Sequence, residues 1–568
     1  MRKIGHHCAY HIGPGIIASV AYFDPGNWTV DLQAGAEYGY SLLFVVLIAG
    51  LGAVLLQVLA CRMGVITGLD LAQHCRRLLY PRKLTRYFGL YPLYFLSEAA
   101  IIFTDLAELL GSAIALNLIF PSLPLWAGVL ITSADVLVIL ALWRPAPDGG
   151  LGKAGRAFEA GIIILCLAVL GCFVVLIVRV GPLWGPVFKG FIPNGAVFQP
   201  NGLYISIGIL GATVMPHAIF LGSALATQSR HPAHARAAGL ARACPTRNGS
   251  TEGSPTAPQL PALLPLPSIT SYPSSPVHAQ MDESPKSSVV HPSVFGKLES
   301  LFIWDPRMEA PRWEGNNSMA FVRAHLGHAT TDIVCSLLLL ALVINSAILI
   351  LGGTAFYYHT GPSPDADIFS AHALLSDKLG PPAAFLFAFA LLCSGQSASV
   401  TATMAGQVVS EGFLEWRVSP FARRLLTRLI GLIPSTIVAV TAGRTGLDTL
   451  LVASQVALSI CLPGVILPLL WVTGGRKARM EVVLDETPFE RPSSAISAPQ
   501  SSDVQATADV HPVQLSQATA ATDAEQGSKH VKSYANHWTV NVLGWLLFVA
   551  ICLANGYAIV ELCLGNSG

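Results

Sequence analysis

The sequence predicts an all-α membrane protein of eleven apolar spans, with the first and sixth spans broken at mid-membrane. Three observations predict it. Only 12% of the 568 residues are charged while 52% are hydrophobic. Apolar runs of roughly 20 residues, the length that crosses a bilayer as a helix, recur along the chain. Spans one and six each carry a proline-centred interruption, at corresponding places if two five-span halves repeat.

A soluble protein carries about twice that charged fraction, and the mean hydropathy of +0.56 agrees with a membrane-embedded body. The net charge of +1 implies no nucleic-acid or acidic partner. Most of the eleven cysteines lie in apolar runs without paired spacing, where Cys acts as a small hydrophobe. No cleavable signal peptide is expected, because the basic N-terminus leads straight into a Gly/Pro-containing segment without a small-residue cleavage site. No nucleophile, phosphate loop or catalytic metal cluster stands out, so no enzyme is expected.

The spans fall at approximately 12–33, 41–63, 89–119, 124–143, 157–180, 202–226, 332–352, 382–411, 422–442, 448–472 and 538–562. Ala160–Val178 contains no charge at all. Basic residues gather on one side: Arg62, Arg76, Arg77, Arg82, Lys83 and Arg86 after span two, Lys153 and Arg156 before span five, Arg417, Arg423, Arg424 and Arg428 around the start of span nine, and Arg476, Lys477 and Arg479 after span ten. The positive-inside rule then places the N-terminus in the cytoplasm. The chain divides into spans one to six (1–226), a cytoplasmic loop (227–331), spans seven to ten (332–475), a second loop (476–536), and span eleven with its tail (537–568). Both loops are polar, without apolar periodicity, and are expected to be disordered.

Span one reads GPGIIASVAYFDPGNWTVDLQAG. Asp24 costs a few kcal/mol or more at mid-membrane unless it is paired or solvated. Pro25 removes a backbone donor and Gly26 adds freedom, so the helix should unwind there. Such backbone is tolerated only where protein buries it or where it lines a cavity. Span six, YISIGILGATVMPHAIFLGSAL, breaks at Pro216 between Met215 and His217. A single Pro in a transmembrane helix is common, and a lone Met or His there is more often packing. Asp-Pro-Gly-Asn and Met-Pro-His at matched positions outweigh that reading. Asp24 offers a hard anionic oxygen, Asn27 a neutral oxygen, and unwinding frees carbonyls such as that of Ala212. Met215 adds a soft thioether that a calcium or magnesium site would not want. This mixture suits a borderline divalent ion such as Mn²⁺ or Fe²⁺.

The stretches AYFDPGNW and GATVMPHAIFLGSAL resemble the two signature segments of the Nramp metal transporters, and the wording around them is closest to fungal members. The resemblance covers nearly the whole chain apart from the two long loops. It implies a LeuT-type fold of two inverted five-helix repeats plus an eleventh helix, alternating access, and proton-driven import into the cytoplasm. By the same resemblance, Asp24, Asn27, Met215 and the Ala212 carbonyl would ligate the transported metal. Gln455 would approach it in some states, although a Gln bonded to a neighbouring helix is the rival reading. No resident cofactor is implied; the partners are the metal ion, protons and the bilayer, with no obligate protein partner.

In span three, Glu98, Asp105 and Glu108 are spaced i, i+7 and i+10 and share one stripe of the helix. Three carboxylates on a buried face point to a proton relay, and the family places its proton route on this helix. The alternatives are a stripe that meets water at a helix end, or one neutralised by span nine through Arg424 and Arg428. Those two arginines could equally be ordinary cytoplasmic charges. His217 could accept a proton near neutral pH; in the family the matching residue affects pH dependence without ligating metal. Its alternative role is a hydrogen bond to the unwound turn.

The sequence departs from the family at Ala398, Ser399 and Ala402, and at Gly464, where a Phe is common and whose loss should loosen packing. The loop 227–331 is longer than this connection usually is, as a retained intron or a dispensable regulatory segment would be. Rival functions are a non-transporting metal sensor, a sodium-coupled amino-acid transporter, and a magnesium or aluminium transporter. The absence of an evident soluble domain argues against the first; Asp24 and Met215 together speak against the second, and Met215 against the third. Plasma membrane and vacuolar or endosomal membranes are both compatible.

Overall fold

The computed structural model describes residues 14–142, 153–199, 201–228, 315–364, 366–415, 419–441, 443–475, 480–483 and 531–564. Span one is two helices, α1 (Pro14–Val20) and α2 (Pro25–Tyr38). Span two is α3 (Leu43–Thr67), followed by the short α4 (Leu71–Leu79). Spans three to five are α5 (Tyr91–Ile119), α6 (Leu125–Leu142) and α7 (Lys153–Val180). A short α8 (Trp184–Gly190) leads to span six, which is again two helices, α9 (Gly202–Thr213) and α10 (Pro216–Leu225). Span seven comprises α11 (Met319–Ser336) and α12 (Leu342–Gly352), joined through a π-helical turn at Leu337–Ala341. After α13 (Ile368–Leu379) come spans eight to eleven: α14 (Pro381–Leu414), α15 (Pro420–Thr441), α16 (Gly443–Gly474) and α17 (Trp538–Leu564).

Among the described residues eight helices are long and apolar enough to cross a membrane. The other three expected spans are the divided first one and the shorter apolar segments Leu125–Ala134 and Leu425–Thr441. Apolar side chains such as Ile164, Val178, Ile437 and Leu553 face outward, as a lipid-contacting surface requires.

One boundary and one connection differ from the sequence expectation. Span seven starts at Met319, well inside the stretch assigned to the loop 227–331, because Ser318 caps the helix by accepting the Phe321 N–H. Its first turn, Met319–Val322, is apolar, but the turns that follow carry Arg323, His325, His328 and Asp332 and lower the hydropathy there. The protein is also not wholly α. Strands β1 (Glu481–Val483) and β2 (Val531–Ser533), inside the stretch 476–536, pair antiparallel with Glu481 opposite Ser533. Most of both loops lies outside the described residues.

The ribbon is anchored at several points. The Tyr534 N–H donates to the Met480 carbonyl, and the Asn536 N–H to Thr473 at the end of α16. Arg62 of span two donates to the Tyr534 carbonyl at 3.1 Å, and Asn316, just before span seven, donates to Glu481 at 2.7 Å.

Gly464 does not leave loose packing. Leu96 of span three fills the space that a side chain at 464 would need.

Candidate functional site

Both breaks follow from local chemistry. Asp24 is extended (φ −69°, ψ 172°) and caps α2 by accepting the Asn27 N–H at 2.9 Å, with Pro25 in the first turn, where no N–H is needed. Unwinding leaves the carbonyls of Tyr22 and Phe23 without helical donors. Asn345 of α12 donates to Tyr22 at 2.7 Å, and the Ser394 hydroxyl of α14 donates to Phe23 at 2.5 Å. Freed carbonyls at membrane depth are thus satisfied by neighbouring spans rather than by lipid. In span six, Val214 (φ −102°, ψ 77°) and Met215 (φ −81°, ψ 126°) leave the helix and Pro216 restarts it.

Asn27 ties the two breaks together. Its Nδ2 donates to Asp24 Oδ1 at 2.8 Å and to the Ala212 carbonyl, across on span six, at 2.9 Å. Two oxygens therefore converge on one amide group. Asp24 Oδ2 has no hydrogen-bond partner among the described residues. Asp24, Asn27, Ala212 and Met215 are all 0% exposed. Gln455 belongs to the same cluster: its side chain lies on Gly26, where any Cβ would collide with it, and its Oε1 has no hydrogen-bond partner among the described residues. Its Nε2 donates to the neighbouring Ser454 hydroxyl at 3.1 Å, so the bond to another helix that was the rival reading is not the one it makes. Among the described residues no three His, Cys, Asp or Glu side chains converge. Any cation held here would draw on amide, carbonyl and thioether groups around a single carboxylate.

The span-three carboxylates sit beside this cluster. Gly111 of α5 is pressed against Pro25, where only a glycine allows such an approach. Asp105 pairs with Arg428 of α15, both fully buried, and Arg428 also donates to the Thr132 carbonyl at 3.3 Å. The proposed neutralisation by span nine therefore exists for Asp105. Glu108 is buried, and neither of its carboxylate oxygens has a hydrogen-bond partner among the described residues. Glu98 is half-buried and nearer the other end of the helix. The side chain of Arg424 lies outside the described residues. His217 Nδ1 lies 3.3 Å from the Thr104 hydroxyl, one residue from Asp105, and its Nε2 has no partner among the described residues. It hydrogen-bonds span three, not the unwound turn.

Sequence reasoning missed Asn345, Ser394 and Asp31. Asn345 interrupts the apolar run LLLLALVINSAILIL and Asp31 follows Asp24 by seven residues, and either signal was visible. Nothing marks Ser394 among the many small residues of span eight.

A membrane body in which the first and sixth spans break against each other, with side chains and freed carbonyls meeting at the break, defines a multi-pass helical membrane protein with a polar site at mid-membrane. The solved structure of the Eremococcus coleocola manganese transporter, in complex with an aromatic bis-isothiourea compound, is 27% identical with a TM-score of 0.62, the match covering 96% of this chain and 84% of that one. The natural resistance-associated macrophage protein-like (Nramp) family profile matches residues 15–246 and 300–486, so the chain belongs to the Nramp family. It is 38% identical to the iron transporter SMF3 of Saccharomyces cerevisiae over 86% of each chain. It is 36% identical to the manganese transporter pdt1 of Schizosaccharomyces pombe over 99% of this chain and 87% of that one.

Proposed function

We propose that this protein carries divalent transition-metal ions, Mn²⁺ or Fe²⁺, into the cytoplasm by alternating access, coupled to protons. The observation that carries the reading is the meeting of Asp24 Oδ1 and the Ala212 carbonyl at the Asn27 amide, with the buried Met215 beginning the next helix. Turning that amide over about its last torsion would present Oδ1 instead, so that three oxygens converge. One carboxylate with neutral oxygens and a thioether favours a borderline divalent ion over Ca²⁺ or Mg²⁺. Metal-transporting relatives with 36–38% identity over most of the chain support the same substrate class. A non-transporting sensor finds no support among them.

Proton coupling is assigned to His217, Asp105 and Glu108, with Arg428 as the fixed counter-charge and Glu98 as the farther carboxylate. Arrival of the metal displaces a proton from Asp24, and the buried carboxylates pass it along span three. The N-terminus is assigned to the cytoplasm because the basic loops share its side.

The test is Mn²⁺ uptake into proteoliposomes with an internal pH dye, comparing wild type with Met215→Ala and Asp24→Asn in the presence of Ca²⁺. Wild type should take up Mn²⁺ with lumenal acidification despite Ca²⁺. Met215→Ala should lose that resistance, and Asp24→Asn should lose uptake. Well-folded wild type without any uptake would overturn the proposal.

A further inference from the structure

The outer half of span one carries a second buried carboxylate that the site above does not use. Asp31 follows Asp24 by seven residues, which puts both on one stripe of α2, about 10 Å apart along the axis. Asp31 is 0% exposed, and neither of its carboxylate oxygens has a hydrogen-bond partner among the described residues.

Neighbours on α2 show where the stripe points. Asn27 is held by Ala212 of span six and Asn345 of span seven. Val30 packs on Gly208 of span six, and Gly35 lies against span seven at Leu349 and Gly353. Asp31, between Asn27 and Gly35 on the same stripe, therefore faces the seam of spans six and seven. At the level of the break a small cavity is lined in part by Tyr22, Thr213 and Asn345. The Thr213 hydroxyl and Asn345 Oδ1 also lack partners among the described residues.

Asp105 of span three receives a counter-charge from Arg428. Among the described residues Asp31 receives none, and an ionised carboxylate buried without partners is strongly unfavourable. A hydrated divalent ion moving down α2 toward Asp24 must exchange water for protein oxygens, and an anionic oxygen two turns above the site lowers that cost.

We propose that Asp31 is an outer station for the transported divalent cation, a carboxylate that attracts the ion and takes over part of its hydration before Asp24 does. This rests on the transport reading above.

The experiment measures concentration-dependent Mn²⁺ uptake by wild type, Asp31→Asn and Asp31→Ser in proteoliposomes, with Mn²⁺ binding to the purified proteins by calorimetry. Removing a charge at this range should raise KM about tenfold. Vmax should stay within about twofold, since Asp31 is not a ligand at the central site. Should either variant incorporate poorly, the other and the binding titration carry the test. An unchanged KM, or a fall in Vmax alone, in any correctly folded neutral variant overturns the station. Wild type inactive toward Mn²⁺ would instead count against the transport reading, so the two failures are distinct.

Discussion

Gly26 shows how little room the unwound turn leaves. Any side chain there meets Gln455, so Gly26→Ala must push the amide away or distort the turn. We expect a cost of about 1–3 kcal/mol, the usual range for overpacking, together with loss of Mn²⁺ uptake, read by thermal melting and by transport. Asp70, which caps α4 outside the spans, is a different kind of residue. Burial pushes its carboxyl up to about 7, against the lowering pull of the Gln73 and Ala72 N–H groups and with the Glu411 charge adding to the rise. The folded protein therefore holds this proton longer than the unfolded chain, and stability falls as pH rises from about 4 to about 7. Asp70→Asn retains a capping oxygen and should flatten that part of the pH–Tm profile in detergent.

At the scale of the element, each broken span depends on a neighbour. Asn345 and Ser394 replace the helical donors lost at Tyr22 and Phe23. Replacing either with Ala strands a buried carbonyl, at about 1–3 kcal/mol, and should lower Tm while leaving Asp24 itself intact. Span nine depends on span three in the same way. Arg428→Gln leaves Asp105 buried without its cation, which costs about 3–5 kcal/mol. The double variant Arg428→Gln with Asp105→Asn should recover much of that stability but not proton-coupled uptake. Recovery of coupling as well would remove Asp105 from the relay.

Across the whole molecule, the ribbon joins parts of the chain that are remote in sequence. It links the ends of spans ten and eleven to spans two and seven through Arg62 and Asn316. Because β1 and β2 run antiparallel with Val483 opposite Val531, residues 484–530 leave and return at one point. Replacing them with a short turn should preserve folding and Mn²⁺ uptake, measured by size-exclusion profile and transport. Breaking the clamp with Asn316→Ala and Arg62→Ala should instead change the transport rate.

Apolar run length in the sequence marked most of the spans, because bilayer thickness imposes a length, and the mid-membrane prolines marked the breaks in spans one and six. The sequence also showed the residue types at the breaks, since Asp24 and Asn27 have no ordinary reason to stand in an apolar run and Met215 stands beside the matching proline. Only the tertiary structure decided what those residues touch. The bond from Asn27 to Ala212 joins positions 185 apart in sequence, and the Asp105–Arg428 pair spans 323. Neither separation leaves a periodic trace. The helical start of span seven at Met319 was hidden because the turns after its first one carry Arg323, His325, His328 and Asp332, and hydropathy registers only what lipid would accept. The ribbon was hidden because three-residue strands carry too little pattern, and their pairing depends on a closure that only the folded chain provides.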